Sequence, residues 1–126
     1  NERKVVMSRA KKAKETCMTN MLGVMCADGK VTEEEKLAFV AGCMTLGITE
    51  EEAMAHIESL PTKSFQFTRP KGELECLKNL FNCVMIMYAD GHMHPEELKW
   101  CRTYAGALGI PEDIVSDMIE MVKKSR

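Results

Sequence analysis

Two loops in this 126-residue chain carry carboxylates at a spacing that could hold a cation. The first runs Asp28-Gly29-Lys30-Val31-Thr32-Glu33-Glu34-Glu35, the second Asp90-Gly91-His92-Met93-His94-Pro95-Glu96-Glu97. Asp28 precedes a helix start and Glu35 faces back from that helix's first turn, so two carboxylates can converge on the loop carbonyls. Asp90 and Glu97 repeat the arrangement. Oxygen donors of this kind suit hard dications such as Ca²⁺ or Mg²⁺. The second loop adds His92 and His94 beside Asp90, a set that suits Zn²⁺ instead. A purely local reading competes with both. Asp before Gly is ordinary turn chemistry, and glutamates in a first turn complement the helix dipole. Thr32 and Glu35 also have the spacing of a capping box, in which the hydroxyl and the carboxylate each take a free backbone amide.

The first loop resembles the second half of an EF-hand, with Asp28 at loop position 5, Gly29 at 6, Val31 at 8 and Glu35 at 12. That register puts Val24 and Cys26 at positions 1 and 3, and Ile86 and Tyr88 there in the second copy. Two carboxylate ligands are missing from each copy, and the EF-hand reading is rejected.

The two loops belong to a longer repeat. At an offset of 62, residues 25–57 match residues 87–119 at 11 of 33 positions without a gap. Leu46-Gly47-Ile48 falls on Leu108-Gly109-Ile110, Glu50 on Glu112 and Ile57 on Ile119. A repeat of this kind fixes the architecture before any single element does. Each copy reads as a long helix, an Asp-Gly loop, a second helix, a Leu-Gly-Ile stop and a third helix. The expected fold is all-α, an internally duplicated helical bundle of two three-helix repeats about a pseudo-two-fold axis. One domain covers 1–126, with repeat one at about 8–60, a linker at 61–69 and repeat two at about 70–122.

Within repeat one, residues 1–7 read as a charged lead-in and the helical pattern starts at Ser8. Ala10, Ala13, Cys17, Met21 and Val24 point inward. Leu37, Val40 and Met44, with Phe39 and Cys43 beside them, form the apolar face of the second helix. Thr49 and Glu52 repeat the capping-box spacing. Phe65 and Phe67 in the linker are expected against the core. In repeat two the inward residues are Leu74, Leu77, Phe81, Val84 and Tyr88, then Leu98, Cys101, Ala105 and Leu108. Pro95 suits a first helical position.

The Ala-Asp-Gly loop followed by a Glu-Glu pair, the Leu-Gly-Ile element and the duplication together resemble the tellurite-resistance TerB family and its TerB-like relatives. The resemblance covers about residues 8–122. It implies a single helical domain that acts with protein partners and is not an enzyme. It also implies that Asp28, Glu34, Glu35, Asp90, Glu96 and Glu97 are divalent-cation ligands. His92 and His94 depart from a simple acidic loop and put the choice among Ca²⁺, Mg²⁺ and Zn²⁺ in question.

Composition is that of an ordinary globular chain, 45% hydrophobic and 29% charged. A net charge of −2 argues against a nucleic-acid binder. No apolar run reaches the length of a membrane span, and no signal peptide is read in the sequence. The chain opens on Asn1, which reads as a start downstream of the natural one. The six cysteines form no Cys-x-x-Cys and fall mostly at apolar helical positions, so free thiols and a cytosolic protein are expected. The eleven methionines read first as core filler, then as an adaptable partner surface. No nucleophile elbow, phosphate loop or His-Glu-x-x-His is present. The function these readings support is a non-catalytic TerB-like module, binding a divalent cation and a protein partner. A scaffold whose acids serve only as caps is the first alternative, and an unrecognised enzyme the second.

Overall fold

The computed structural model describes residues 2–58 and 68–125, with side chains from Lys11 onward. Among the described residues there are six helices: α1 (Glu2–Met25), α2 (Glu33–Thr45), α3 (Glu50–Glu58), α4 (Glu73–Met87), α5 (Pro95–Leu108) and α6 (Glu112–Lys124). No strand occurs among the described residues, as the all-α reading requires. Phe65 and Phe67 lie outside those residues, as does the side chain of Ala10. No described helix is long and apolar enough to cross a membrane.

The most apolar helix, α4, is the hub, packed against α1, α2, α5 and α6. Its Cys76, Leu80, Cys83, Val84, Ile86 and Met87 are all buried. Around it lie Met21, Val24 and Met25 of α1, Phe39 and Cys43 of α2, and Cys101, Tyr104 and Ala105 of α5. Helix α1 touches α5 just as α4 touches α2, so the ends of α1 and α4 and the starts of α2 and α5 are brought together. All six cysteines are free thiols.

Local chemistry explains the boundaries. Thr32 caps α2 with a complete capping box, its Oγ1 accepting from the Glu35 amide at 3.1 Å while Glu35 Oε1 accepts from the Thr32 amide at 2.9 Å. Helices α2 and α5 stop alike, with the Ile48 amide donating to the Cys43 carbonyl at 3.0 Å and the Ile110 amide to Ala105 at 2.9 Å. These back-bonds satisfy carbonyls that a helix end leaves orphaned. At the start of α3, the Glu52 amide donates to Thr49 Oγ1 at 3.2 Å, and the hydroxyl in turn donates to Glu52 Oε1 at 3.2 Å. The carboxylate there meets the hydroxyl and not the backbone, so this box is half made.

Several inward assignments are corrected. The first helix starts at Glu2 and not at Ser8. Leu37 is 71% exposed and Met44 60%, because the buried stripe of α2 is Glu35, Phe39, Val40, Gly42 and Cys43. Placing a glutamate on that stripe turns Leu37 outward. Leu74 and Leu77 are exposed as well, since α4 meets its four neighbours through the Cys76–Leu80–Val84 side. Ala13 is exposed too.

A polar knot lies inside the bundle. Asn20 Nδ2 shares its two hydrogens among three acceptors, Tyr104 Oη at 2.8 Å, Asn79 Oδ1 at 3.0 Å and the Thr68 carbonyl at 2.8 Å. Tyr104 Oη donates to Asn79 Oδ1 at 2.6 Å, and Asn79 Nδ2 donates to the Cys17 carbonyl at 3.0 Å. The Thr68 amide returns to Asn20 Oδ1 at 2.8 Å. Every polar atom of the two asparagine side chains is therefore satisfied, as burial demands.

Gly23 lets α1 approach α5. A Cβ at that position would overlap Trp100 Cζ2 and stand 2.9 Å from Cε2. Alanine gains about 1 kcal/mol of helix propensity over glycine, whereas overpacking costs about 1–3 kcal/mol. The Trp100 ring itself lies tilted against that of Tyr104, centroids 5.3 Å apart, which limits its retreat, so the clash wins. Gly23→Ala is expected to lower stability by up to about 2 kcal/mol in urea unfolding. An unchanged or raised midpoint would show that the indole moves aside freely.

Candidate metal centre

The centre is built from four helix ends. Each Asp-Gly loop turns on a left-handed glycine, Gly29 at φ 78° and Gly91 at φ 83°. This conformation is strained for residues with a Cβ. Each loop is then pinned by its aspartate: Asp28 Oδ1 accepts from the Lys30 amide at 3.0 Å and Asp90 Oδ1 from the His92 amide at 3.0 Å. One oxygen of each carboxylate is thereby spent on the turn. The second oxygen is directed elsewhere.

Because α1 packs on α5 and α2 on α4, the loops meet. Asp28, His94 and Glu97 each bring one ligand atom within 4.8 Å of the others. His94 Nε2 lies 2.9 Å from Asp90 Oδ2, and His94 Nδ1 lies 3.9 Å from Asp28 Oδ2. Sequence reasoning placed one pair of carboxylates in each loop. The structure joins an aspartate of the first loop to a histidine and a glutamate of the second. Glu34 and Glu96 are exposed and do not belong to the group. A residue step on a helix turns a side chain through about 100°, which carries them away from the inward Glu35 and Glu97. His92 is exposed, its ring 6.4 Å from that of His94.

Glu35 and Glu97 occupy the same place in α2 and α5 but differ in their bonding. Glu35 is 1% exposed and spends Oε1 on its cap, leaving Oε2 without a partner. Glu97 is 0% exposed and no donor from the rest of the protein reaches either oxygen, so the one bond open to it is a proton of its own shared with Glu35. Where the first copy has Thr32 the second has His94, and α5 starts without a side-chain cap. Glu97 is thus released from capping with two free oxygens in the interior. The substitution of His for Thr at this repeat position was the available signal, and the contact across the repeats was not visible at all.

The electrostatics follow. Burial, then hydrogen bonding to Glu35 and repulsion from Glu35, Asp28 and Asp90, push the Glu97 carboxyl up to about 10. As ions the two glutamates cannot bond to each other, and Glu97 must hold a proton or face a cation. The bond to Asp90 raises the His94 imidazole above its ordinary 6.5, against a lowering by burial. Burial pushes Asp90 up, but bonds from His94 and the His92 amide outweigh it and hold the carboxyl below 3.8. Beside the centre, burial with repulsion from Glu35 and Asp28 raises the half-buried Cys26 thiol.

Comparison with protein-family models, curated proteins and solved structures finds no match to the chain.

These shifts give a pH dependence with a definite sign. Glu97 is raised from 4.5 in the unfolded chain to about 10, so the unfolded state binds fewer protons in that window and stability falls as pH rises through it. His94 acts in the same direction: its contribution is full below 6.5 and lost as pH rises through its raised folded value. Asp90 acts oppositely but only in acid, its contribution being lost as pH falls through a value below 3.8. The metal-free protein in EDTA is expected to melt several degrees higher near pH 5 than near pH 8. Glu97→Gln should raise the pH 8 melting temperature and remove most of the slope above pH 7. A variant profile parallel to wild type would put the buried charge elsewhere.

Proposed function

We propose that the chain is a non-catalytic, TerB-like cation-binding module in which one divalent cation sits between the two Asp-Gly loops. Asp28, His94 and Glu97 hold it, with Glu35 Oε2 facing the same interior. The single observation that carries this reading is Glu97, fully buried among three other acids, with no donor to either oxygen and a proton shared with Glu35 as its only alternative to a cation. Leaving a buried carboxylate unpaired costs several kcal/mol, and a dication removes that cost while accepting the free lone pairs.

The duplication belongs to this reading. It is supported by helix ends at Met25 and Met87, helix starts at Glu33 and Pro95, and left-handed glycines at 29, 47, 91 and 109, each recurring at the offset of 62. The pairing of α1 with α5 and α4 with α2 is what a pseudo-two-fold would produce. A protein partner in the cytosol, and a role in metal or tellurite stress, extend the reading through the resemblance. Exposed Leu77 and Met121, beside Phe81 and Met118 in an apolar groove, offer such a partner a surface.

The scaffold reading, in which the acids only cap, draws support from the complete box at Thr32 and Glu35. It accounts for Glu35 but not for Glu97, which caps nothing.

Melting in EDTA, Ca²⁺, Mg²⁺ and Zn²⁺ tests the proposal. At about a hundredfold excess over the dissociation constant, a bound ion adds about 2.7 kcal/mol, several degrees for a domain of this size. Asp28→Asn and Glu97→Gln should abolish the ion's effect, and each should leave the EDTA protein as stable or more stable. Flat wild-type melting temperatures up to millimolar ion would leave the scaffold reading in possession.

A further inference from the structure

We propose that the centre selects a borderline transition-metal dication, with Zn²⁺ as its type, through the Nδ1 atom of His94, and that Asp90 is the positioning residue behind that ligand. This rests on the cation reading above and adds to it the class of ion and the roles of two residues.

The argument starts from the two ring nitrogens. His94 Nε2 and Asp90 Oδ2 stand at 2.9 Å, a hydrogen bond in which the ring donates. In the neutral ring that bond holds the proton on Nε2 and leaves the lone pair on Nδ1. Nδ1 stands 3.9 Å from Asp28 Oδ2, beyond hydrogen-bonding range. Two ligands on one tetrahedral Zn²⁺, with bonds of about 2.0–2.2 Å, lie about 3.3–3.6 Å apart. Small side-chain rotations of Asp28 and His94 close the difference. A carboxylate donating orientation to the far nitrogen of a ligating imidazole is the usual support of such a ligand.

The repeats reinforce the assignment by their difference. Asp90 is the counterpart of Asp28, yet its oxygens are both engaged, Oδ1 by the His92 amide and Oδ2 by His94. Asp28 keeps Oδ2 free of hydrogen bonds from the backbone, and Glu97 keeps both oxygens. The available donors are therefore two carboxylates and one imidazole, with Glu35 Oε2 for a fourth. Thr32, in the place of His94, gives the first loop no nitrogen, so the donors define one mixed nitrogen–oxygen centre and not two oxygen cages. Hard cations gain little from an imidazole, whereas Zn²⁺ and its neighbours favour one.

Calorimetric titration of the full chain with Zn²⁺, Ca²⁺ and Mg²⁺ tests this in wild type, His94→Asn, Asp90→Asn, Glu97→Gln and Cys26→Ser. Wild type should prefer Zn²⁺. His94→Asn should lose about 100-fold or more in Zn²⁺ affinity with any Ca²⁺ binding unchanged, and Asp90→Asn about 10–100-fold. Glu97→Gln should weaken every ion. Loaded with Co²⁺, wild type should show one paramagnetically shifted exchangeable ring N–H that His94→Asn lacks. Equal affinity for Ca²⁺ and Zn²⁺, undiminished in His94→Asn, would overturn the proposal and leave the cation reading standing. Zn²⁺ binding that survives His94→Asn but fails in Cys26→Ser would overturn it in favour of the thiol. No binding of any ion by wild type would remove both.

Discussion

Two glutamates in the interior set the terms for the rest of this structure. A carboxylate is stable in a protein core only when its charge is bonded, neutralised or paired. Glu35 meets half of that requirement by capping α2, and Glu97 meets it without a cation only by keeping a proton and sharing it with Glu35. The helices packed around them nevertheless bury both almost completely. Ordinary packing would place an apolar side chain at each position. That both positions hold glutamate, at the junction of four helix ends, is the tension that the loops, the histidine and the neighbouring aspartate resolve together.

The resolution is unequal between the halves. In the first half the glutamate stays tied to its helix start and keeps one oxygen unbonded. In the second, proline begins the helix at Pro95, the capping bond is given up, and the carboxyl is wholly available. Asp90 spends its second oxygen on the His94 imidazole. The two loops can differ in this way because each is built by the same local rules, while the residues on the face they share are not the same.

Those local rules are what the sequence made legible. Helix starts at Thr32 and Pro95, the stops after Leu46 and Leu108 and the Asp-Gly turns all depend on neighbours within five residues, and the residue types there announce them. Burial was less legible. Leu37, Met44, Leu74 and Leu77 carry helical periodicity but face solvent, because which stripe of a two-sided apolar helix is covered depends on where the other helices lie. The site was legible by residue and not by partnership. Asp28, Glu35, Asp90, His94 and Glu97 stand out at their spacing, yet the pairing of Asp28 with His94 and Glu97 crosses the halves and has no local signature. The buried asparagines gave no warning, since a single Asn in a helical pattern looks like surface.

The asparagine knot has a mechanical consequence for the centre. Tyr104 lies two turns along α5 from Glu97, on the same side of the helix, and Asn20 lies about two turns before Asp28 on α1. Sliding α1 by one residue would move Asn20 by about 1.5 Å along the axis and rotate it by about 100°. The bonds from Asn20 to Tyr104, Asn79 and Thr68 would then break together, leaving buried polar groups without partners at about 1–3 kcal/mol each. Apolar contacts alone tolerate such slippage, because one methionine fills another's place at little cost. The knot therefore acts as an indexing pin: it fixes the rotation and depth of α1 against α5, and so the distance across which Asp28 faces Glu97.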